Sequence, residues 1–310
     1  MKLFLAHSAE HLRRFLEKHE VPIARHERFF FADQERGYRL REKVKGKRAS
    51  MIACVLPDPE SLFELLALHR VIRENGATRT DVVIPYLGYA RQDRPDREGE
   101  ASIGLMVAEL IRNLKGSRLI FFDLHGPRVR KTLGRSIAEL TGFPLFAKAL
   151  CDRAPEVIVS PDAGSVTRAR HLARLFKPRP EVAVVEKFRP RPNVAIARRL
   201  HGDVRGKDVL VVDDIIDTGG TIAEAVRLIA QHGSGRIQIA ATHGVFSGDA
   251  RERLSTLPIE RILVTNTLPQ APDPRTHVLD IVPLLLQRIA SCREQPVKAV
   301  YRSLLGVAGR

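Results

Sequence analysis

Tryptophan is absent from this 310-residue chain, and aromatic residues together make up only 5% of it. So little aromatic content argues against an aromatic-rich β-sandwich and for aliphatic packing of strands against helices. Cysteine is nearly as scarce. Cys54, Cys151 and Cys292 lie far apart, with no CxxC or other ligand spacing. This excludes a disulfide framework and a zinc site, and predicts reduced thiols of a cytoplasmic protein. Apolar runs are short: none approaches the ~20 residues a transmembrane helix needs. The opening MKLFLAHSAEHLRRFL is broken by charge too early for a signal peptide. No membrane association is expected.

Acidic residues are in deficit. Thirty-six Asp and Glu face 51 Lys and Arg, for a net charge of +15. Such an excess suits polyanions, whether nucleic acid or small phosphorylated substrates. The basic residues are spread along the chain and are mostly Arg, with no basic tail and no RNP-like aromatic stretch. Nucleic acid is therefore not expected as a partner.

What is present is more telling. VLVVDDIIDTGGTIAEA, Val209 to Ala225, runs from aliphatic residues into acids, then two glycines, then a helical pattern. It predicts a strand buried on both faces that ends at Asp213, a tight loop, and a helix from about Thr221. Glycines in Thr218-Gly219-Gly220-Thr221 let successive backbone N–H groups converge just before the helix, a geometry that binds phosphate. Asp213 and Asp214 would repel phosphate. They suit sugar hydroxyls or a metal ion, and the loop as a whole suits a phosphorylated sugar.

The halves of the chain echo each other. MIACVLPD, DVVIPYLGYARQDR and RLIFFDLHG in the first half are matched by EVIVSPD, EVAVVEKFRPR and the loop motif in the second. Strands alternate with helical stretches such as SLFELLALHRVIREN and SVTRARHLARLF, which predicts parallel α/β sheets. Ligands of such sheets bind at the carboxyl ends of the strands, where these motifs fall. Two similar α/β domains are expected, residues 1–145 and 146–280, with a tail at 281–310 whose helix, IVPLLLQRIA, could return to either.

VLVVDDIIDTGGT resembles the phosphoribosyl-pyrophosphate loop of type I phosphoribosyltransferases. PYLGYARQDR, FFDLHG, SPDAGSVTRAR, EKFRPRPN, ATHGVFSG and VTNTLP then follow the order seen in the ribose-phosphate pyrophosphokinase family. The resemblance runs from about Phe31 to Leu285. It implies two tandem phosphoribosyltransferase-type domains and transfer of the β,γ-diphosphoryl group of ATP to ribose 5-phosphate with Mg²⁺, yielding AMP.

The resemblance also implies residue roles. The sugar phosphate is expected in the loop Asp217, Thr218, Gly219, Gly220 and Thr221, with the sugar hydroxyls near Asp213 and Asp214. Arg91 and Gln92 match ATP contacts. So do Phe31, Asp33 and Glu35, reached from a neighbouring subunit of a homo-oligomer, a dimer or a hexamer built from dimers. His125 and Asp162 match magnesium positions, although a lone strand-end histidine is often structural, and Asp162 suits a helix cap as well. Lys187 and Arg189 match a catalytic loop, with Arg189 also on ribose 5-phosphate; without the resemblance they would pass equally for a solvated basic loop. His243 and Ser247 look like residues framing the nucleotide.

Departures from the common pattern fall beside these positions. Gln34 replaces a usual Gly, Phe188 interrupts a Lys-Arg-Arg run, and Pro95 stands where Lys is usual. GPRVRKTLG lacks a Gln-rich continuation, while REGEASIG is closer to archaeal members. A phosphoribosyltransferase and a non-catalytic regulatory homologue are the alternatives.

Overall fold

A computed structural model describes residues 1–135, 137–191 and 194–291, with the side chains of 187–198 outside that description. The chain forms two compact units, Met1–Leu140 joined by the helix that starts at Val282, and Thr141–Ile281.

In the first unit the strands are β1 (Lys2–Leu5), β2 (His26–Phe30), β3 (Arg36–Leu40), β4 (Arg48–Ile52), β5 (Arg79–Ile84), β6 (Ser117–Phe122) and β7 (Ile137–Leu140). The helices between them are α1 (Arg13–Lys18), α2 (Pro59–Glu74), α3 (Ile103–Arg112) and α4 (Pro127–Leu133). β2 and β3 make a separate antiparallel hairpin; the others form a five-stranded parallel sheet in the order β1-β4-β5-β6-β7. Met51, Val82, Ile84 and Phe121 of the sheet pack against Leu65, Leu68 and Ile72 of α2 and Val107 and Ile111 of α3.

The second unit contains α5 (Phe143–Ala149), β8 (Val157–Ser160), α6 (Val166–Ala173), β9 (Glu181–Arg191), β10 (Val194–His201), β11 (Val209–Ile216) and α7 (Gly220–Gln231). It continues with β12 (Ile237–Gly244), α8 (Ala250–Ser255), β13 (Arg261–Thr265) and β14 (Thr276–Leu279). Its seven-stranded sheet runs β10-β9-β8-β11-β12-β13-β14 and is parallel except for the β9–β10 hairpin. Alternate residues of β11 serve opposite faces. Val209 and Val211 pack with Ile222, Val226 and Ile229 of α7, while Leu210 and Val212 pack with Ala169 and Leu172 of α6. Both faces are covered, which is why the strand reads as an unbroken aliphatic run.

Three details differ from the sequence reading or complete it. β11 does not stop at Asp213 but continues through Asp214 to Ile216, held by parallel pairing of Ile215 with His243 and Ile216 with Gly244. The tail helix, left free to join either half, is α9 (Val282–Ala290) and groups with the first unit. The echo between halves is also displaced by one strand. Matched by position in the sheet, β4-β5-β6-β7 correspond to β8-β11-β12-β13, so the YARQDR turn is the counterpart of the Asp217–Thr221 loop. Asp-Leu-His-Gly after β6 is then the counterpart of Ala-Thr-His-Gly at the end of β12. The cause is the path of the chain after β8, which goes first to β9 on one side and then crosses to β11 on the other.

Candidate active site

That reversal makes the carboxyl ends of β8 and β11 a topological switch point, where open α/β sheets place their ligands. β8 delivers Asp162 and β11 delivers Asp213 and Asp214. Asp162 Oδ1 accepts the Ser165 N–H at 3.0 Å and so caps the turn that leads into α6. The Ser165 hydroxyl donates to Asp213 Oδ1 at 2.9 Å, and Arg168 Nη2 donates to Asp214 Oδ2 at 2.6 Å. Burial first, then the nearby charges of Asp214 and Asp162, push the Asp213 carboxyl up to about 7, against the opposing bond from Ser165.

The loop after β11 is drawn back from behind. The Ile216 carbonyl accepts from the N–H groups of Val245 (2.9 Å) and Phe246 (3.0 Å), and the Asp217 carbonyl from Ser247 N–H (3.2 Å). Arg253 holds the Thr218 carbonyl, and the Gly219 carbonyl takes the first bond of α7 from Ala223 at 2.8 Å. In a trans peptide the N–H points opposite to its carbonyl. The amides of 217–220 therefore each point away from these carbonyl contacts, at the start of a 12-residue helix. Gly219, at φ +72°, supplies the left-handed step, and a Cβ there would stand 3.3 Å from the Leu254 side chain. This arrangement suits an anion, with two acids beside it.

His243, at the end of β12, is buried and its Nδ1 lies 2.9 Å from Thr267 Oγ1. Thr265 and Thr267 both donate to the Thr242 carbonyl, at 2.7 and 3.1 Å. Lys187 and Arg189 fall on the backbone of β9, opposite β10, but their side chains lie outside the described residues.

In the first unit, strand ends again collect polar groups. Arg91 and Gln92 are exposed on the turn after β5. That turn is fixed by Gln92 N–H bonding the Tyr89 carbonyl at 2.8 Å and Gly104 N–H bonding the Gln92 carbonyl at 3.0 Å. A cleft of about 350 Å³ opens beside Gln92, walled also by Arg94, Asp96, Glu100 and Ile103. His125 follows buried Asp123 at the end of β6. The two strand ends touch: a Cβ on Gly126 would be 2.8 Å from Asp93 Oδ2.

Phe31, Asp33 and Glu35 stand apart from these, on the tip of the β2–β3 hairpin. Phe31 is 53% exposed and its ring meets Phe29 edge-on at 5.2 Å. Asp33 Oδ1 accepts the Glu35 N–H at 3.1 Å, so it shapes the tip whatever else it does. Gln34 has φ +72°, a backbone conformation that glycine adopts without strain.

Among the described residues, no group of three or more His, Cys, Asp or Glu side chains is arranged to hold a metal ion. Ser165, Arg168 and Arg253 were not anticipated. The first two had a signal, since they stand three and six residues after the capping Asp162; Arg253 had none, because only folding brings α8 to the loop.

A model of the N-terminal domain of ribose phosphate pyrophosphokinase matches residues 1–114, and a phosphoribosyl transferase domain model matches residues 138–260. Ribose-phosphate pyrophosphokinase of Caldanaerobacter subterraneus is 35% identical over 302 residues, 95% of each chain. The chain belongs to the ribose-phosphate pyrophosphokinase family. Its relative in Aquifex aeolicus is 36% identical over 271 residues, covering 85% of this chain and 86% of the other. The crystal structure of phosphoribosylpyrophosphate synthetase from Mycobacterium smegmatis superposes with a TM-score of 0.80 at 30% identity, across 98% of this chain and 100% of that one. Tandem phosphoribosyltransferase-type α/β domains are thus the architecture of this pyrophosphokinase, as its motifs imply. His125 falls between the two matched domain ranges.

Proposed function

We propose that this pyrophosphokinase makes phosphoribosyl pyrophosphate by transferring the diphosphoryl group of MgATP to ribose 5-phosphate. The C1 hydroxyl oxygen attacks the β-phosphorus, the bond from that phosphorus to the oxygen of the α-phosphate breaks, and AMP leaves. The hydroxyl proton is lost to solvent. The observation that carries this reading is the anion seat at residues 217–220 beside Asp213 and Asp214: phosphate in the seat puts the hydroxyls of the same sugar against the acids.

Arg91 and Gln92 bind ATP in this reading, Arg91 through a planar fork suited to phosphate or stacking on the base. Phe31, Asp33 and Glu35, on a hairpin that projects an exposed ring, contact ATP of a neighbouring subunit in a homo-oligomer. Lys187 and Arg189 neutralise charge on the transferring oxygens and exclude water that would otherwise hydrolyse ATP.

The residues fit Mg²⁺. This ion takes one or two protein ligands and completes its shell with phosphate oxygens and water, so it needs no preformed cage. Asp162 offers a hard oxygen, and the burial and, after it, the neighbouring acids that raise Asp213 make a setting that a cation relieves. Asp162 in the second unit and His125 in the first are each proposed as a magnesium-associated position. The chemistry the ion supplies when bound is neutralisation of phosphate charge.

The match to residues 1–114 favours this reading over a phosphoribosyltransferase, which has no use for that domain. A phosphorus NMR time course tests it, with protein, MgATP and ribose 5-phosphate against a control without sugar. AMP and a sugar-linked diphosphate should arise only with the sugar; ATP surviving alongside ribose 5-phosphate overturns the proposal.

A further inference from the structure

Ser165 bonds two acids at once. Its N–H goes to Asp162 Oδ1 at 3.0 Å and its hydroxyl to Asp213 Oδ1 at 2.9 Å. One turn later Arg168 reaches Asp214 Oδ2 at 2.6 Å. Asp213 and Asp214 are consecutive on β11, so they leave opposite faces of the strand. Asp214 follows Leu210 and Val212 on the α6 side, while Asp213 follows Val209 and Val211 on the α7 side. The start of α6 therefore holds acids on both faces, with the Ser165 hydroxyl reaching across the end of the strand.

The first unit provides an internal control. After β4, the counterpart of β8, Asp58 caps α2 by accepting the Ser61 N–H at 2.7 Å, with the same Asp-x-x-Ser spacing. There the serine hydroxyl stays within its own turn: it accepts the Leu56 N–H at 2.8 Å and donates to the Asp58 carbonyl at 3.1 Å. Capping thus makes no demand on where the hydroxyl points. In the second unit it is redirected to an acid on the neighbouring strand.

We infer that Ser165 and Arg168 are positioning residues for sugar binding, holding Asp213 and Asp214 in the orientations that receive the ribose hydroxyls. Three acids converge where β8 and β11 end, and mutual repulsion favours turning them apart. A donor fixed to each of the two on β11 opposes that motion before the sugar arrives, which lowers the cost of binding. The inference rests on ribose 5-phosphate occupying the seat after β11.

Steady-state kinetics on the full-length chain tests it, with folding checked by thermal melts. Ser165→Ala keeps the backbone cap but removes the hydroxyl; it should raise KM for ribose 5-phosphate roughly tenfold. KM for ATP and kcat should stay within about twofold of wild type. Ser165→Thr restores the hydroxyl and should restore KM. Arg168→Leu should raise the same KM, but add little in an Asp214→Asn background, where there is no acid left to hold. An unchanged KM in Ser165→Ala overturns the role of Ser165. A full additional loss for Arg168→Leu on Asp214→Asn overturns the role of Arg168, since that residue would then bind substrate directly. A wild type that makes no phosphoribosyl pyrophosphate defeats the functional reading itself, which separates the two failures.

Discussion

Asp213 shows how one side chain can report on its site. Its carboxyl is raised from 3.8 to about 7, by burial before neighbouring charge. An acid whose pKa is higher in the folded than in the unfolded chain keeps an extra proton in the folded state between those values. Stability of the ligand-free protein then falls as pH rises through about 4 to 7. Melting temperatures across that range should drop less steeply for Asp213→Asn than for wild type. Parallel curves would place the titration elsewhere. The role proposed for Lys187 would show instead in rate. In that reading its charge acts mainly in the transition state, so Lys187→Ala should lower kcat by ~100-fold or more with little change in KM. Unchanged turnover would remove it from the mechanism.

Among elements, the turns after β5 and β11 are built to similar ends by different means. The Asp217–Thr221 loop is pulled back by carbonyl bonds from 245–247 and by Arg253. The Arg91–Gln92 turn is instead pressed against α3. Gly104 of that helix has its N–H on the Gln92 carbonyl, and a Cβ there would come within 2.4 Å of the Tyr89 carbonyl oxygen and 3.1 Å of that of Gln92. Backbone cannot yield as a side-chain tip can. Gly104→Ala should therefore displace Arg91 and Gln92 and raise KM for ATP several-fold, on the order of 1 kcal/mol, while KM for ribose 5-phosphate holds. Equal loss for both substrates would mean general destabilisation. The hairpin tip carries its own conflict, with Gln34 in a backbone conformation better suited to glycine. Gln34→Gly should be tolerated, with stability unchanged or raised by up to about 1 kcal/mol; a lowered melting temperature would show that the Gln34 side chain contributes to holding the tip.

For the molecule as a whole, chain order and spatial grouping part company at α9. It follows the second unit in sequence but joins the first, where Arg118 receives its end. Arg118 Nε and Nη2 each donate to Asp81 at 2.9 Å, while Nη1 reaches the Ser291 carbonyl at 2.9 Å and Nη2 the Ile289 carbonyl at 3.3 Å. Asp81 and Arg118 are both buried. Asp81→Asn would leave the guanidinium buried and unpaired, at a cost of about 3–5 kcal/mol, read as a lowered urea midpoint. A midpoint within error of wild type would show that the α9 carbonyls alone satisfy Arg118.

Local chemistry was legible in the order of residues. Aliphatic runs ending in acids and glycines announced strand, tight loop and helix, because backbone conformation and burial on both faces act over a few residues. The Asp162 cap could be read for the same reason. The direction of the chain after β8 could not, and with it went the pairing of the two halves, the extension of β11 to Ile216, and the reach of Ser165 and Arg168 to acids 48 and 46 residues away. Those depend on which side of β8 the next strand docks. Helix and strand patterns are identical for either choice, and only packing of the completed sheet distinguishes them.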